Sequence, residues 1–546
     1  MSPFLFFDPS DASTVEPHQR RSRLREEIPD RFKWNLTDIF STWDAWEAGY
    51  KDLEAGIDRY TALRGTLAGG PEHLLEAFRL SEEVGQLAYR VWYYPSLQYD
   101  EDQRDNGVNA KRQQVQILFA RLSQAESWFN PELLSIPLDK VRSWVDQTPA
   151  LRLYRFAVEN LYRQQEHVLD EAGERLMSLA SRTASAPNEA YWALSTADAK
   201  FPTITLTTGE EVTVSYGQYR ALLATRRDQR DREAAFTALH ETYKSSLNTY
   251  ATLYNGVCQR DWFQARARGY ASTLDAALHG DNIPTSVVEN LIETTRAGVE
   301  PLRRYHRLRR KALGVPSYHV YDFSIPIVTF DKKYLYDDVL EWIVAAVAPL
   351  GPAYQARMRE GFAGRWIDVY ENEGKRSGAY SAPVYGTHPY MLLNYNDTLD
   401  DVFTLAHEMG HSMHTILSHQ SQPFVYSSYT IFVAEVPSTL SEALLLEHML
   451  KQSTDPAERI VLLQHAIDNI TGTFFTQVMF ADYELRAHRL AEQDRPITSD
   501  ILTEMYTTLL KDYYGDAVDL TPLTGITWAR IPHFFNSPYY VYQYAT

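Results

Sequence analysis

The stretch Asp397–Gln420 reads DTLDDVFTLAHEMGHSMHTILSHQ and contains the pattern His-Glu-x-x-His at His407, Glu408 and His411. In a helix, residues four apart lie one turn apart on the same face, so two imidazole rings at this spacing can bind one tetrahedral metal ion. The glutamate beside the first histidine is placed to hold a metal-bound water. The pattern therefore predicts a zinc hydrolase site on a helix.

The same stretch carries the periodicity of a helix. Asp397, Asp400 and Asp401 would lie in its first turn, where negative charge is favourable. Gly410 is unfavourable in a helix interior by roughly 1 kcal/mol relative to alanine, so we expect another group to approach the helix closely there. The apolar residues that recur at three- and four-residue spacing are Val402, Leu405, Ala406, Met409, Met413, Ile416 and Leu417.

A catalytic zinc site needs a third protein ligand and leaves one position for water. Glu435 lies in the otherwise apolar run 429–442, where an unpaired buried carboxylate is costly and needs a cation partner. We therefore predict Glu435 as the third ligand, with Pro437 in the first turn of a second helix. His414 and Glu442 remain alternatives for the third ligand. Either could also orient a ligand imidazole through its other ring nitrogen without binding the metal.

Composition limits the class of protein and its partners. The chain has 546 residues, of which 44% are hydrophobic, which is typical of a globular protein of two or more domains or one large composite core. Its formal net charge of −18 argues against nucleic acid or an anionic membrane as a partner. Cys258 is the single cysteine, so no intramolecular disulfide can form. With no signal peptide or membrane span in the sequence, we predict a cytoplasmic protein.

Three regions are predicted along the chain. Residues 1–30 are polar and charged and are expected to form a flexible leader, and residues 31–200 have helical periodicity almost throughout. Residues 201–214 alternate as a β-hairpin does, and Ser215 is placed to cap the next helix. We place a boundary there, so that residues 201–546 form the catalytic region.

Extended segments are predicted directly before the histidine motif. Residues 361–395 have strand and turn character, with Ala379–Tyr385 extended and Tyr390–Tyr395 β-leaning. A free strand edge beside a catalytic helix can hold an extended peptide through backbone hydrogen bonds. A covered structural hairpin is the alternative, and the sequence favours neither.

Five segments together resemble the thimet-oligopeptidase-like zinc peptidases, and among them the oligoendopeptidase F branch. They are His407–His414, Phe432–Ser438, Lys375–Ser381, Arg530–Phe534 and Tyr539–Thr546. The resemblance implies a mainly α fold, a large multi-helix two-lobed zincin with a deep substrate channel and a small β-sheet or hairpin next to the catalytic helix. It also implies one zinc ion per chain and short unfolded peptides as substrates.

The resemblance further implies catalytic residues in a late loop. Carried over by motif, they are His533, Tyr539 and Tyr542, with Tyr540 beside them. Imidazole and phenol groups can donate hydrogen bonds to the oxyanion that forms when a peptide carbonyl is attacked. The chain stops at Thr546, without the helical sequence that usually follows this loop in the family, and we therefore expect a shortened C-terminus.

The sequence thus predicts a zinc-dependent endopeptidase that hydrolyses internal bonds of short oligopeptides, with zinc on His407, His411 and Glu435 and with Glu408 as general base. One alternative is an exo-acting zinc peptidase, which would need a charged anchor for a peptide terminus, and none is evident in the sequence. The other is a non-catalytic zinc-containing peptide-binding protein, which the intact Glu408 disfavours. The oligomeric state is left open.

Overall fold

A computed structural model describes residues 23–545, except for 171–172, 175, 178–179 and 181–183. It is mainly α with two small sheets, as predicted. Of the predicted leader, residues 1–22 lie outside the described residues. Residues 23–30 contain the short 3-10 helix Arg25–Glu27, and Arg25 Nη2 lies 2.6 Å from Asp368 Oδ2, so this part is bound to the folded chain. Across the described chain, no helix combines the length and the apolarity that a membrane crossing requires.

The chain forms two compact units, each assembled from separate stretches. The first unit contains the described residues of 17–166 and 332–452, and the second contains those of 167–331 and 453–546. This grouping follows spatial contacts, whereas the regions 31–200 and 201–546 were proposed from composition and motifs and remain predictions.

Helices account for most of the first unit. Its last two helices are called below the HExxH helix and the Glu435 helix. The helices of this unit are Trp43–Ala62, Pro71–Glu101, Asn106–Glu126, Phe129–Leu134, Leu138–Gln147, Arg155–Gln164, Tyr336–Ala346, Pro352–Ala363, Leu399–Ser421 (the HExxH helix) and Ile431–Gln452 (the Glu435 helix).

The second unit is also helical, and Ser215 caps one of its helices as predicted, accepting a hydrogen bond from Gln218 N. The late loop, which carries His533, Tyr539 and Tyr542, includes the 3-10 helices Thr524–Arg530 and Val541–Ala545. The segments Ala193–Ala197 and Ile470–Thr476 are π-helical. The α-helices are Ala186–Trp192, Tyr216–Thr225, Gln229–Lys244, Leu247–Ala267, Thr273–His279, Thr285–Ala297, Glu300–Leu313, Pro456–Asn469, Gln477–Glu492, Ser499–Tyr514 and His533–Asn536.

In the part of the chain that the structure describes, five short strands form two small sheets: β1 (Thr203–Thr205), β2 (Glu211–Thr213), β3 (Ile367–Asp368), β4 (Tyr380–Ala382) and β5 (Tyr390–Leu392). In the second unit β1 and β2 pair antiparallel, which confirms the predicted hairpin. In the first unit the strand order is β3-β5-β4, with β3 parallel and β4 antiparallel to β5. Strand β4 is therefore at an edge of its sheet.

A hydrophobic core joins this sheet to the first helices of the chain. It contains Trp46, Val91 and Leu118 from three helices, and Tyr390 and Leu392 from β5, all of them buried. Burying such side chains is the main favourable contribution to folding. The sheet beside the HExxH helix is thereby fixed to the helical part of the same unit.

A buried ionic network fixes the turn that leads into β4. The side chain of Lys375 is fully buried, and its Nζ lies 2.7 Å from Asp368 Oδ1 and donates to Tyr370 O at 2.7 Å. Asp368 also binds Arg25, so that one carboxylate serves two cations. A buried charge is tolerated only when it is paired and hydrogen-bonded. Because moving the turn would break these pairs, the network fixes the position of the turn.

Candidate metal centre

The HExxH helix begins at Leu399, so Asp400 and Asp401 lie in its first turn as predicted, whereas Asp397 precedes the N-cap and its predicted place in the first turn is wrong. Thr398 is the N-cap, its Oγ1 accepts a hydrogen bond from Asp401 N at 3.2 Å, and the Asp401 carboxylate accepts one from Thr398 N at 2.9 Å. This reciprocal capping box satisfies two backbone donors that a helix otherwise leaves unpaired. The predicted helix over the His-Glu-x-x-His pattern is confirmed.

Gly410 lets the HExxH helix and the Glu435 helix touch through their backbones. A Cβ atom at this position would lie 2.6 Å from Pro437 O and 2.7 Å from Ser438 Cα, closer than carbon atoms pack. The close approach expected at Gly410 is therefore found, and the approaching group is the backbone of the second helix.

Pro437 lies inside the Glu435 helix, and its predicted place in the first turn is wrong. The helix already begins at Ile431, so Glu435 is a helical residue. A proline in a helix interior costs about 3 kcal/mol, and the long packed face against the HExxH helix offsets that cost. A rule based on local sequence considers only this cost, and it therefore placed the start of the helix too late in the chain.

Three ligand atoms meet between these two helices. His407 Nε2 lies 3.1 Å from His411 Nε2 and 3.2 Å from Glu435 Oε2, and His411 Nε2 lies 3.5 Å from the same Glu435 oxygen. A tetrahedral zinc ion with ligands at 2.0–2.1 Å separates them by about 3.3 Å. The three residues thus have the spacing and the donor atoms that fit one such ion.

Neighbouring side chains orient these ligands. Glu442 Oε1 lies 2.6 Å from His407 Nδ1, on the side of the ring away from the cluster. Ser438 Oγ donates to Glu435 Oε2 at 2.8 Å. The two alternatives for third ligand are placed differently: Glu442 contacts the outer nitrogen of His407, and the His414 ring stacks on Tyr429 with 3.7 Å between ring centroids.

The electrostatics of the cluster differ between its three ligand residues. Burial by itself would raise the pKa of Glu435, but the hydrogen bond and the charges of the two imidazoles outweigh burial and lower this pKa to about 2. Burial, reinforced by the nearby His407, lowers the pKa of His411 to about 3. Burial opposes protonation of His407 as well, yet its hydrogen bonds to Glu435 and Glu442 raise its pKa. Glu435 is thus ionised and His411 neutral, as zinc requires of its ligands, whereas the raised pKa of His407 means that a zinc ion would have to displace a proton from that ring.

Glu408 and strand β4 lie beside the cluster in the same unit. Glu408 follows the first ligand directly and is buried. Ser381 Oγ, in the middle of β4, lies 2.8 Å from Ser412 Oγ, one residue after the second ligand. The edge strand is thereby tied to the HExxH helix.

The late-loop residues belong to the second unit. Tyr539 has a positive φ of 58°, it is buried, and its hydroxyl lies 2.7 Å from Thr273 Oγ1. Tyr542 is also buried, with 2% of its surface exposed. Burial lowers the pKa of His533. The catalytic role of His533, Tyr539 and Tyr542 stays a prediction.

Tyr544 is a neighbour of His533 that sequence reasoning did not single out. Its hydroxyl lies 3.4 Å from His533 Nε2, and its ring meets that of Tyr540 edge to face at 5.3 Å. Both tyrosines are more exposed than Tyr539. The signal was present in the Tyr-rich run 539–546, but which of its rings lie together is a property of the folded loop.

Comparison with known proteins places this geometry in a family. A model of peptidase family M3 matches residues 222–546, and a model of oligopeptidase F matches residues 132–201. The chain belongs to peptidase family M3. It is 36% identical to oligopeptidase PepF of Bacillus subtilis over 536 residues, which cover 98% of this chain and 80% of PepF. It is 35% identical to group B oligopeptidase PepB of Streptococcus agalactiae, covering 96% of this chain and 86% of PepB.

Solved structures agree with the M3 assignment. Oligoendopeptidase-F from Enterococcus faecium aligns with a TM-score of 0.68 at 31% identity, over 91% of this chain and 85% of that one. A Chlamydophila abortus chain described as a peptidase aligns with a TM-score of 0.86 at 33% identity, over 96% and 88%. The resemblance seen in the sequence is confirmed, and M3 membership makes the protein a metallopeptidase of the oligopeptidase class.

Proposed function

We propose that the protein is a zinc-dependent endopeptidase that hydrolyses internal bonds of short, unfolded oligopeptides. The observation that supports this most is the triangle of ligand atoms from His407, His411 and Glu435, with sides of 3.1, 3.2 and 3.5 Å. Two imidazole nitrogens and one carboxylate oxygen are one of the ligand sets found in catalytic zinc sites, and they leave a fourth position open. One zinc ion per chain and a cytoplasmic location complete the proposal.

Zinc, when bound, would supply a Lewis acid that polarises the scissile carbonyl and acidifies water. Glu442 fixes the ring of His407: by accepting the Nδ1 proton, it leaves the Nε2 lone pair directed at the cluster. Ser438 Oγ donates to Glu435 Oε2, the oxygen that faces the two histidines, so two of the three ligands are oriented before any ion arrives.

Glu408 is proposed as the general base. It is buried beside the first ligand, and a carboxylate there can take a proton from the attacking water and pass it to the leaving amine. A single group can perform both transfers because the proton it receives in the first step is the one needed in the second.

The late loop is proposed to stabilise the oxyanion. His533, Tyr539 and Tyr542 carry the donors, and each well-placed donor would contribute about 3 kcal/mol to lowering the barrier. The Thr273 hydroxyl donates its proton to Glu492 Oε1, so the Tyr539 hydroxyl donates to Thr273 Oγ1, and Tyr539 would have to release this bond before it could donate to an oxyanion.

Strand β4 is proposed to hold the substrate. An edge strand offers backbone N–H and C=O groups to an extended peptide without regard to its side chains. The Ser381–Ser412 hydrogen bond ties this edge to the HExxH helix, which supports a fixed register between a paired peptide and the cluster.

The experiment that tests this proposal measures metal content together with cleavage of an oligopeptide blocked at both ends. We expect one zinc per chain, internal cleavage, its loss after chelation and its return when zinc is added. An intact blocked peptide beside efficient trimming of unblocked peptides would indicate the exo-acting alternative. Zinc binding and peptide binding without any hydrolysis would indicate the non-catalytic one.

A further inference from the structure

Arg530 is a partly buried cation in the loop that carries His533. It ends the 3-10 helix Thr524–Arg530, and its Nη1 donates to the Tyr216 hydroxyl at 3.0 Å. Its Cζ lies 5.5 Å from the centre of the Tyr216 ring and 5.9 Å from that of Tyr219. Arg530 Nε is buried and makes no hydrogen bond within the described chain.

No carboxylate of the described residues pairs with Arg530. The groups that act most strongly on its charge are the phenols of Tyr216, Tyr219, Tyr243 and Tyr506, which are neutral at pH 7. His240 lies nearby, but its ring is bonded to Phe236 O and to Thr527 Oγ1, and burial first and Arg530 second lower its pKa to about 3. Arg530 is therefore surrounded by uncharged groups.

Other buried arginines of the second unit are paired. Arg232 Nη2 lies 2.6 Å from Asp322 Oδ1 with both side chains fully buried, and Arg309 Nη1 lies 3.6 Å from Asp468 Oδ2. Removing a guanidinium from water without a counter-charge is unfavourable, so the fold supplies one in those places. At Arg530 it supplies only aromatic faces and one hydroxyl.

We propose that Arg530 binds a carboxylate of the peptide substrate. A guanidinium recognises a carboxylate through parallel N–H donors, and only one of those of Arg530 is directed to Tyr216. Tyr216 is 44% exposed, and because its hydroxyl accepts from Arg530 its own proton is left to donate to the same carboxylate. The inference rests on the proposed function and adds the charged anchor that the sequence did not show.

Two sources of the carboxylate are possible, a free C-terminus and an acidic side chain. Two pairs of short acetylated peptides distinguish these sources. The peptides of the first pair end in a C-terminal acid or in its amide, and those of the second pair contain an internal glutamate or an internal glutamine. Dissociation constants are measured by calorimetry on Glu408→Gln, in which hydrolysis is expected to be slow, and the peptides are checked for cleavage after each titration. We expect the peptide bearing the recognised carboxylate to bind about tenfold more tightly than its neutral partner.

Arg530→Gln, added to Glu408→Gln, is expected to reduce this ratio to about one. Arg307→Gln is the matched control, since it removes the same charge from an exposed arginine of the same unit that pairs with Glu300 and Asp516. It should leave the ratio unchanged. Arg530→Lys keeps the charge without the planar fork and should give an intermediate ratio.

The inference is overturned if neither pair is discriminated by Glu408→Gln, a result that needs no change at Arg530. It is also overturned if Arg530→Gln or Arg530→Lys retains the full ratio. Cleavage of the same peptides by the unmodified protein separates the two proposals. If the charged peptide binds more tightly than its neutral partner but no peptide is cleaved, only the proposed function is refuted. If peptides are cleaved but the charged and neutral partners bind equally, only the role of Arg530 is refuted.

Discussion

At the scale of single residues, Glu408 and the three ligand residues have separable roles. Glu408→Gln preserves shape but removes the base, so zinc should stay bound while hydrolysis of a blocked peptide falls by a factor of about 10²–10⁴. The variant is assayed for zinc content and turnover together. Retained turnover at full zinc content would show that Glu408 is not the base.

Glu442 offers a second residue-scale prediction because it contacts His407 and not the cluster itself. Glu442→Gln should weaken zinc binding by about 10–100-fold, since the proton on His407 Nδ1 loses its anionic acceptor. Competition with a chelator of known affinity measures this change. Glu447→Gln is the control: Glu447 lies on the same helix, 60% exposed and paired with Lys451, and its loss should leave zinc affinity unaltered.

At the scale of elements, the pairing of the HExxH helix with the Glu435 helix depends on Gly410. Gly410→Ala gains about 1 kcal/mol of helix propensity. The added methyl group would also lie against backbone atoms of the second helix, which cannot move aside as a flexible side chain can, at a cost of about 1–3 kcal/mol. We expect a lower unfolding temperature and weaker zinc binding. Gly217→Ala, in a helix with open space around that position, should have neither effect.

The turn before β4 gives another prediction at this scale. Lys375→Met leaves Asp368 buried with one cation fewer and should destabilise the first unit by about 3–5 kcal/mol. Denaturant unfolding measures this loss. Lys451→Met removes an exposed surface pair and should cost less than about 1 kcal/mol. Equal losses in the two variants would mean that the buried network does not fix the turn.

The sequence predicted those elements whose determinants are local. The acidic first turn with Asp400 and Asp401, the apolar periodicity and the hairpin near residue 205 all depend on residues close together in the chain. The start of the Glu435 helix was misplaced because packing between helices, which a local rule omits, outweighs the cost of Pro437. The parallel pairing of β3 with β5 joins distant residues, and no short-range signal specifies such a register.

At the scale of the whole molecule, the sequence could place together only those site residues that belong to one short motif. His407 and His411 share one helix, so their spacing alone places them together, whereas Glu435 needed the assumption that a second helix returns alongside. The absence of a carboxylate beside Arg530, among the described residues, appears only when residues distant in the chain are brought together.

Zinc should also stabilise the folded chain, because an ion that binds only the folded state shifts unfolding by mass action. At a free zinc concentration one hundred times the dissociation constant, the gain is about 2.7 kcal/mol. Thermal unfolding with zinc and after chelation measures this difference. Identical unfolding curves would mean that no zinc binds the folded chain under those conditions.

The central claim is that two histidines and one glutamate hold a single zinc ion, and anomalous diffraction at the zinc edge tests it most directly. The account predicts one strong peak bound by His407 Nε2, His411 Nε2 and Glu435 Oε2 at about 2.0–2.2 Å. A zinc-loaded crystal with no peak between these atoms, or with a peak whose ligands exclude Glu435, would contradict it.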